Sequence, residues 1–234
     1  GLRISGVDAR PAGSDPPAAG FDEKLTFAEN RVMWSGVPGA PEADYWFWER
    51  LTDHQTGTYR FDAPSLIRSG ENATLTLFLQ GRLDGSALHH VEAELNGDII
   101  GDVYLSGNEA REASLAVAPS KFTSRNNTLK LNYRGPARGV IYVNRFELAY
   151  QRRLEALDDR LNFSIVSSGP KDIVVSGFTN NAVRIYDITD PAGPVRADHV
   201  DVAAGGGGFQ ATFFHPGGEK IWTAVTADRI PGPD

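Results

Sequence analysis

From about residue 31 onward, apolar and polar residues alternate with a period of two. Leu75, Leu77 and Leu79 alternate with Thr74, Thr76 and Gln80, and Phe78 is an exception on the polar side. That spacing predicts a strand with one buried face. Val91, Ala93 and Leu95 alternate in the same way with His90, Glu92 and Glu94. Asn96-Gly97 then supplies the residues that tolerate positive φ in a two-residue hairpin turn, so residues 99–105 are expected to return as a partner strand. Residues 115–117, 129–133 and 140–150 continue the pattern. In the last run Tyr142, Phe146, Leu148 and Tyr150 are expected on one face, with Asn144 the polar exception, and Ile141 and Val143 on the other.

No helical period recurs; only residues 151–161 are compatible with a short helix or an extended connector. Five further short strands are expected at 173–175, 183–186, 199–202, 209–214 and 221–226. Between them lie Asn180-Asn181, Asp190-Pro191-Ala192-Gly193-Pro194, the four glycines 205–208, and Pro216-Gly217-Gly218. Evenly spaced strands with turn residues between them predict an all-β fold: a jelly-roll-like antiparallel β-sandwich followed by a smaller all-β, sandwich-like unit. The expected domains are residues 1–155, a sandwich with an irregular N-terminal segment, and residues 156–234, a smaller β domain leading into a linker. Within the first, the Pro/Gly/Ala-rich stretch 10–20 reads as a surface loop between short strands near 2–4 and 25–27. Both ends read as cut from a longer chain.

Composition narrows the function classes. Hydrophobic residues make up 41% and charged residues 23% of the 234, which excludes a disordered chain. The net charge of −7 gives no basic footprint for nucleic acid, and no apolar run reaches the ~20 residues of a spanning helix. Cysteine is absent, which removes disulfides, thiol nucleophiles and cysteine-ligated zinc together.

The remaining chemistry is sparse. His89 and His90 are adjacent and so point to opposite faces of a strand, while His54, His199 and His215 are isolated; none has metal-ligand spacing. Calcium has two places to consider, Asp158-Asp159 and Asp187 with Asp190, but neither offers the dense oxygen spacing of a calcium loop, and Asp190-Pro191 also reads as a turn initiator. No Gly-x-Ser-x-Gly elbow occurs, and residues 205–208 lack the Lys-Ser/Thr of a phosphate loop. The aromatic run Tyr45, Trp46, Phe47 and Trp48 is the candidate ligand surface. With strand periodicity Tyr45 and Phe47 share one face and Trp46 and Trp48 the other, so one pair is expected in the core and the second at an interface or displayed to sugar rings.

Taken in order, the motifs resemble a known region. Tyr45-Trp46-Phe47-Trp48, residues 73–81, His89-His90-Val91-Glu92-Ala93-Glu94-Leu95-Asn96-Gly97, Asn126-Asn127-Thr128-Leu129, Arg145-Phe146-Glu147-Leu148-Ala149-Tyr150 with Arg152, and Gly177-Phe178 leading to Tyr186-Asp187-Ile188-Thr189-Asp190-Pro191 are similar to the non-catalytic segment upstream of the catalytic domain in gingipain-type bacterial cysteine peptidases. The resemblance implies that a caspase-like domain with a His/Cys dyad follows, that export to the cell surface or beyond is expected, and that no catalytic residue falls within this chain. The expected function is an accessory or scaffold region whose partner is its own downstream peptidase domain. The alternatives are a carbohydrate- or surface-binding module and an inhibitory pro-region with Arg152-Arg153 as a processing site in an exposed loop. No cofactor is expected beyond the calcium considered at Asp187 and Asp190.

Overall fold

The computed structural model describes residues 6–7, 18, 20–38, 44–52, 54–83, 85 and 87–230. Among them the strands run β1 (Gly6–Val7), β2 (Phe21–Ala28), β3 (Val32–Met33), β4 (Trp46–Phe47), β5 (Glu49–Thr52), β6 (Thr56–Phe61), β7 (Ala73–Arg82), β8 (Leu88–Leu95), β9 (Asp98–Ser106) and β10 (Ala110–Val117). They continue as β11 (Asn127–Tyr133), β12 (Val140–Arg152), β13 (Arg160–Ser167), β14 (Lys171–Phe178), β15 (Val183–Asp187), β16 (Val195–Ala197), β17 (Asp201–Gly205), β18 (Gly208–His215) and β19 (Gly218–Thr226). Helical geometry among the described residues is confined to two three-residue 3-10 turns, Pro119–Lys121 and Ala227–Arg229. The fold is all-β.

The chain divides into two compact units. The sandwich unit is Glu23–Gln151; the second unit joins Gly1–Asp22 to Arg152–Asp234. The expectation had kept residues 1–155 together. The described N-terminal residues group otherwise because Gly6 and Val7 pair in parallel with Arg196 and Ala197, and because the Phe21 ring packs 5.9 Å from that of Phe163. The strand expected near residues 2–4 and most of the 10–20 stretch lie outside the described residues.

In the sandwich unit one sheet has the order β10-β7-β12-β2, with β5 also on β12, and the other has the order β6-β11-β8-β9. This is the jelly-roll-like antiparallel arrangement, and the alternation in sequence explains it. Leu75, Leu77 and Leu79 from β7 meet Val91, Ala93 and Leu95 from β8 and Leu129 and Leu131 from β11 in one core. Phe146 lies at the aromatic centre, within 4.8 Å of the Phe27 ring, 5.4 Å of Phe61, 5.7 Å of Trp48 and 5.9 Å of Tyr59. The Asn96-Gly97 turn forms as expected, with φ of 53° and 96°. Asn96 does more than turn: its Oδ1 accepts the Thr128 N–H at 2.8 Å and its Nδ2 donates to Asn127 Oδ1 at 2.9 Å, which ties the hairpin to β11.

One expectation is overturned in β12. The register against β7 shifts between Val143 and Arg145, so Asn144 is an extra, bulged residue. A bulge inverts the two-residue period beyond it. Ile141 and Val143 therefore share the core with Phe146, Leu148 and Tyr150, while Tyr142 faces the other way. Read without the bulge, the alternation assigned Tyr142 to the wrong face.

The second unit pairs β1-β16-β15-β19-β13 in one sheet and β14-β18-β17 in another. The five expected strands are present, joined by β13 and β16. Residues 151–161 contain no helix: they finish β12, turn through Asp158 and Asp159 at φ 50° and 64°, and enter β13. Phe163, Ile173, Val175, Ile185, Phe213 and Trp222 fill this core. Gly206 and Gly207, at φ 63° and 85°, make the tight turn between β17 and β18 that the glycine run required.

Candidate functional site

The aromatic run does not behave as one strand. Trp46 and Phe47 pair with β3, Glu49 onward pairs with β12, and Trp48 sits between, its N–H donating to the Val143 carbonyl at 2.8 Å. The change of partner breaks the alternation, so Phe47 and Trp48 are both buried, Tyr45 is half-buried, and Trp46 is 44% exposed. The expected pairing of Trp46 with Trp48 on one face is thus replaced. Phe47 packs 5.1 Å from Tyr142, and Tyr142 stacks at 4.7 Å on Trp34. Of the four aromatics only Trp46 keeps a large open face, opposite the exposed Met33.

Beside this segment, on the outer face of the β10-β7-β12 sheet, lies a cleft of about 430 Å³. Phe47 and Phe78 are the aromatic part of its apolar lining, and Asp44, Gln80, Arg111, Glu112, Asn144 and Arg145 make its polar lining. The bulge places two of these groups. Asn144 Nδ2 donates to Asp44 Oδ2 at 2.7 Å and to the Trp46 carbonyl at 3.1 Å, so the extra residue holds the aromatic segment against the sheet. The Arg145 guanidinium lies 3.5 Å from the Phe78 ring centroid and donates to Asn144 Oδ1 and Glu147 Oε1 at 3.0 and 3.1 Å. Phe78, the apolar exception in its strand, is a platform for a cation. Lys24 also bonds Glu147 at 2.7 Å; this bond and that from Arg145 outweigh burial and hold the Glu147 carboxyl below its ordinary range. Such a cleft can orient a polar ligand by hydrogen bonds and two guanidinium groups, those of Arg111 and Arg145. Among the described residues, no thiol or hydroxyl side chain lines it; its ionisable lining is Asp44, Arg111, Glu112 and Arg145.

The acidic pair lies in the second unit. Asp187 Oδ1 accepts from the Thr189 N–H and hydroxyl at 2.9 and 2.5 Å, and its Oδ2 faces Lys220 Nζ at 2.9 Å. Burial alone would raise the Asp187 carboxyl, but the bonds from Thr189 and Lys220 outweigh it and hold it low. Asp190 Oδ1 accepts the Ala192 N–H at 3.0 Å, which is the turn-initiating role. An ammonium already occupies the charge position a cation would need, so the donor set fits calcium poorly. Among the described residues no group of three or more His, Asp or Glu converges on a metal position. Asp159 is buried and spends both carboxylate oxygens on Thr179, at 2.6 and 2.7 Å.

His90 bonds Asp102 at 2.6 Å and stacks on Tyr104, on the outside of β8 and β9. His89 and His215 are fully buried. Arg152, expected in an exposed loop, is the last residue of β12 and is buried, with its guanidinium 5.8 Å from the Phe21 ring; only Arg153 is exposed. The sequence reading missed Trp34, Tyr142, Asn144 and Arg145 as neighbours of the aromatic run. The two breaks in alternation, Phe78 and Asn144, were the available signal.

Comparison with protein-family models finds no match, and comparison with curated proteins finds none. Among solved structures, the whole chain superposes on 23% of latent, dimeric PorU from Porphyromonas gingivalis, with a TM-score of 0.73 at 14% identity. PorU is a gingipain-like peptidase, so the chain has the fold of a region of such a protein. The chain spans less than a quarter of PorU's length. Two family 36 carbohydrate-binding modules also align. One, from a multidomain xylanase of the Trinervitermes trinervoides hindgut metagenome, covers 54% of this chain and 96% of the module (TM-score 0.36, 11% identity). The other, solved with calcium and xylotriose, covers 54% and 98% (TM-score 0.35, 11% identity). At those scores neither carries an argument for this chain.

Proposed function

We propose that this chain is a non-catalytic accessory region of a PorU-like, gingipain-type peptidase, acting at the cell surface or outside the cell as a scaffold that positions the contiguous catalytic domain. The observation that carries the reading is the correspondence of the entire chain, both units included, to one region of PorU. The absence of cysteine from the sequence is consistent with it, because the thiolate must then come from another part of the polypeptide. The test removes residues 1–234 from the polypeptide that carries them and measures peptidase activity and thermal stability. Loss of a stable, active peptidase is the expected result. A peptidase equally active and stable without the region would overturn the scaffold reading, and one more active would favour an inhibitory pro-region instead.

A second reading has its own support. Trp46 is exposed, and an open indole face is suited to stacking a sugar ring; its chain neighbours Asp44 and Phe47 line the cleft. Retention on insoluble polysaccharides or bacterial surface glycans, lost in Trp46→Ala, is the expected signature. Equal retention of both proteins removes this reading.

A further inference from the structure

Each unit buries one histidine, and the two differ in how they are bonded. His89 sits in the sandwich unit in a pocket walled by glycines: a Cβ on Gly81 or Gly139 would lie 3.1 Å from its ring atoms. Its Nε2 bonds the Gly107 carbonyl at 2.9 Å, which fixes a proton on Nε2, and its Nδ1 meets the Tyr133 hydroxyl at 2.9 Å. That hydroxyl has a second outlet, the Pro136 carbonyl at 3.2 Å. If His89 takes a second proton, Nδ1–H donates to the Tyr133 oxygen and the phenol turns its own hydrogen to Pro136. Every bond is kept. Among the described residues, burial, which lowers the His89 imidazole, and the Gly107 carbonyl, which opposes it, are the influences on this group, and Tyr133 is the titratable neighbour.

His215, in the second unit, has no such outlet. Its Nδ1 accepts from the Trp222 indole N–H at 3.3 Å, so its proton is on Nε2, which faces the Gly218 carbonyl without closing a well-formed bond. An indole N–H only donates. A second proton on His215 would set donor against donor. From the surrounding strands, Lys171 on β14 and Lys220 on β19 oppose the added charge, and among the described residues Asp187 on β15 is the favourable one. Burial, the largest influence, and the two lysines hold this imidazole below its ordinary range against the Gly218 carbonyl and Asp187.

We propose that His215 is an acid-sensitive latch: protonation breaks its bond to Trp222 and loosens the β14-β18-β17 sheet and β19, whereas the His89 network of the sandwich unit keeps its hydrogen bonds on taking a second proton and yields less. The sign follows from linkage. A histidine held neutral in the fold contributes stability that is complete above the ordinary histidine range and is lost as pH falls below about 6.5. Native carboxylates held low, such as Asp187, act only at more acid pH, below their ordinary value of 3.8, so the two effects separate.

The test is hydrogen exchange on the whole chain between pH 7.5 and 5.0, corrected for intrinsic rates. Protection of β18 and β19 is expected to fall about tenfold per unit by which the folded pKa of His215 lies below its unfolded value, with a smaller fall in β7, β8 and β11, where burial also lowers His89 but its hydrogen bonds survive protonation. In His215→Gln, whose side-chain oxygen can still accept the indole N–H, the acid dependence of β18 and β19 should vanish; in His89→Gln it should persist. Should H215Q fail to fold, imidazole NMR of the native protein decides the same point: His215 is expected to protonate only as β18 opens, and His89 with β8 still protected. Equal loss in both units, earlier loss in the sandwich unit, or no loss down to pH 5.0 would overturn the proposal.

Discussion

The two units meet the same problem, how to close antiparallel sheets around a core, with different reserves. The sandwich unit surrounds Phe146 with four aromatic rings and bonds both nitrogens of its buried histidine. The second unit has a smaller aromatic set, Phe21, Phe163, Phe178, Phe213 and Trp222, and leaves one nitrogen of its buried histidine poorly bonded. Buried polar atoms are costly when their partners are incomplete and specific when they are satisfied. The difference teaches where each unit is expected to yield: the first through loss of aromatic packing, the second through a change of charge.

The sharpest way to break the comparison is Phe146→Ala. Removing a fully buried ring from the sandwich core is expected to cost about 3–5 kcal/mol in denaturant unfolding. A loss under about 1 kcal/mol would mean that the ring cluster does not organise this unit.

Next is Gly139→Ala. A Cβ there would lie within covalent range of the Tyr133 hydroxyl, so the phenol must move and His89 loses its partner. A loss of about 1–3 kcal/mol is expected. Exchange protection in β8 should then become more steeply acid-dependent below about pH 6.5, making the sandwich unit resemble the second one.

A smaller effect is expected for Glu147→Gln. The carboxyl held low by Lys24 and Arg145 contributes stability that is present above its ordinary value of 4.5 and is lost as pH falls through the lower folded value. The variant should be less stable at neutral pH and show a shallower fall below pH 4.5, which stability measured against pH will check.

Smallest is Trp46→Ala, which should leave the unfolding midpoint nearly unchanged because the ring is exposed and outside the core cluster. A large loss would show that Trp46 is structural and would also weaken the sugar-binding reading.

Much of the sandwich was legible because alternation carries it directly. Leu75, Leu77 and Leu79 and Val91, Ala93 and Leu95 are buried as their spacing required, and Asn96-Gly97 turns as its φ tolerance required. The candidate cleft was hardly legible. Its lining comes from residues 37–38 and from residues near 44–47, 78–80, 110–112 and 144–145, the last three brought together by cross-strand register. A sequence period of two describes which face a residue occupies within one strand and is silent on its neighbours in the next.

Taken alone, the sequence determined the all-β class, the positions of most strands and turns, and the absence of a thiol, because each depends on local spacing or on composition. Tertiary structure alone decided three matters. It showed that Asn144 is bulged and reverses the faces of β12, that residues near the N-terminus join the second unit, and that Trp46 is displayed while Phe47 and Trp48 are buried. The reason is common to all three. Each depends on which strand becomes the hydrogen-bonded partner, and that choice is settled by contacts between residues far apart in the chain.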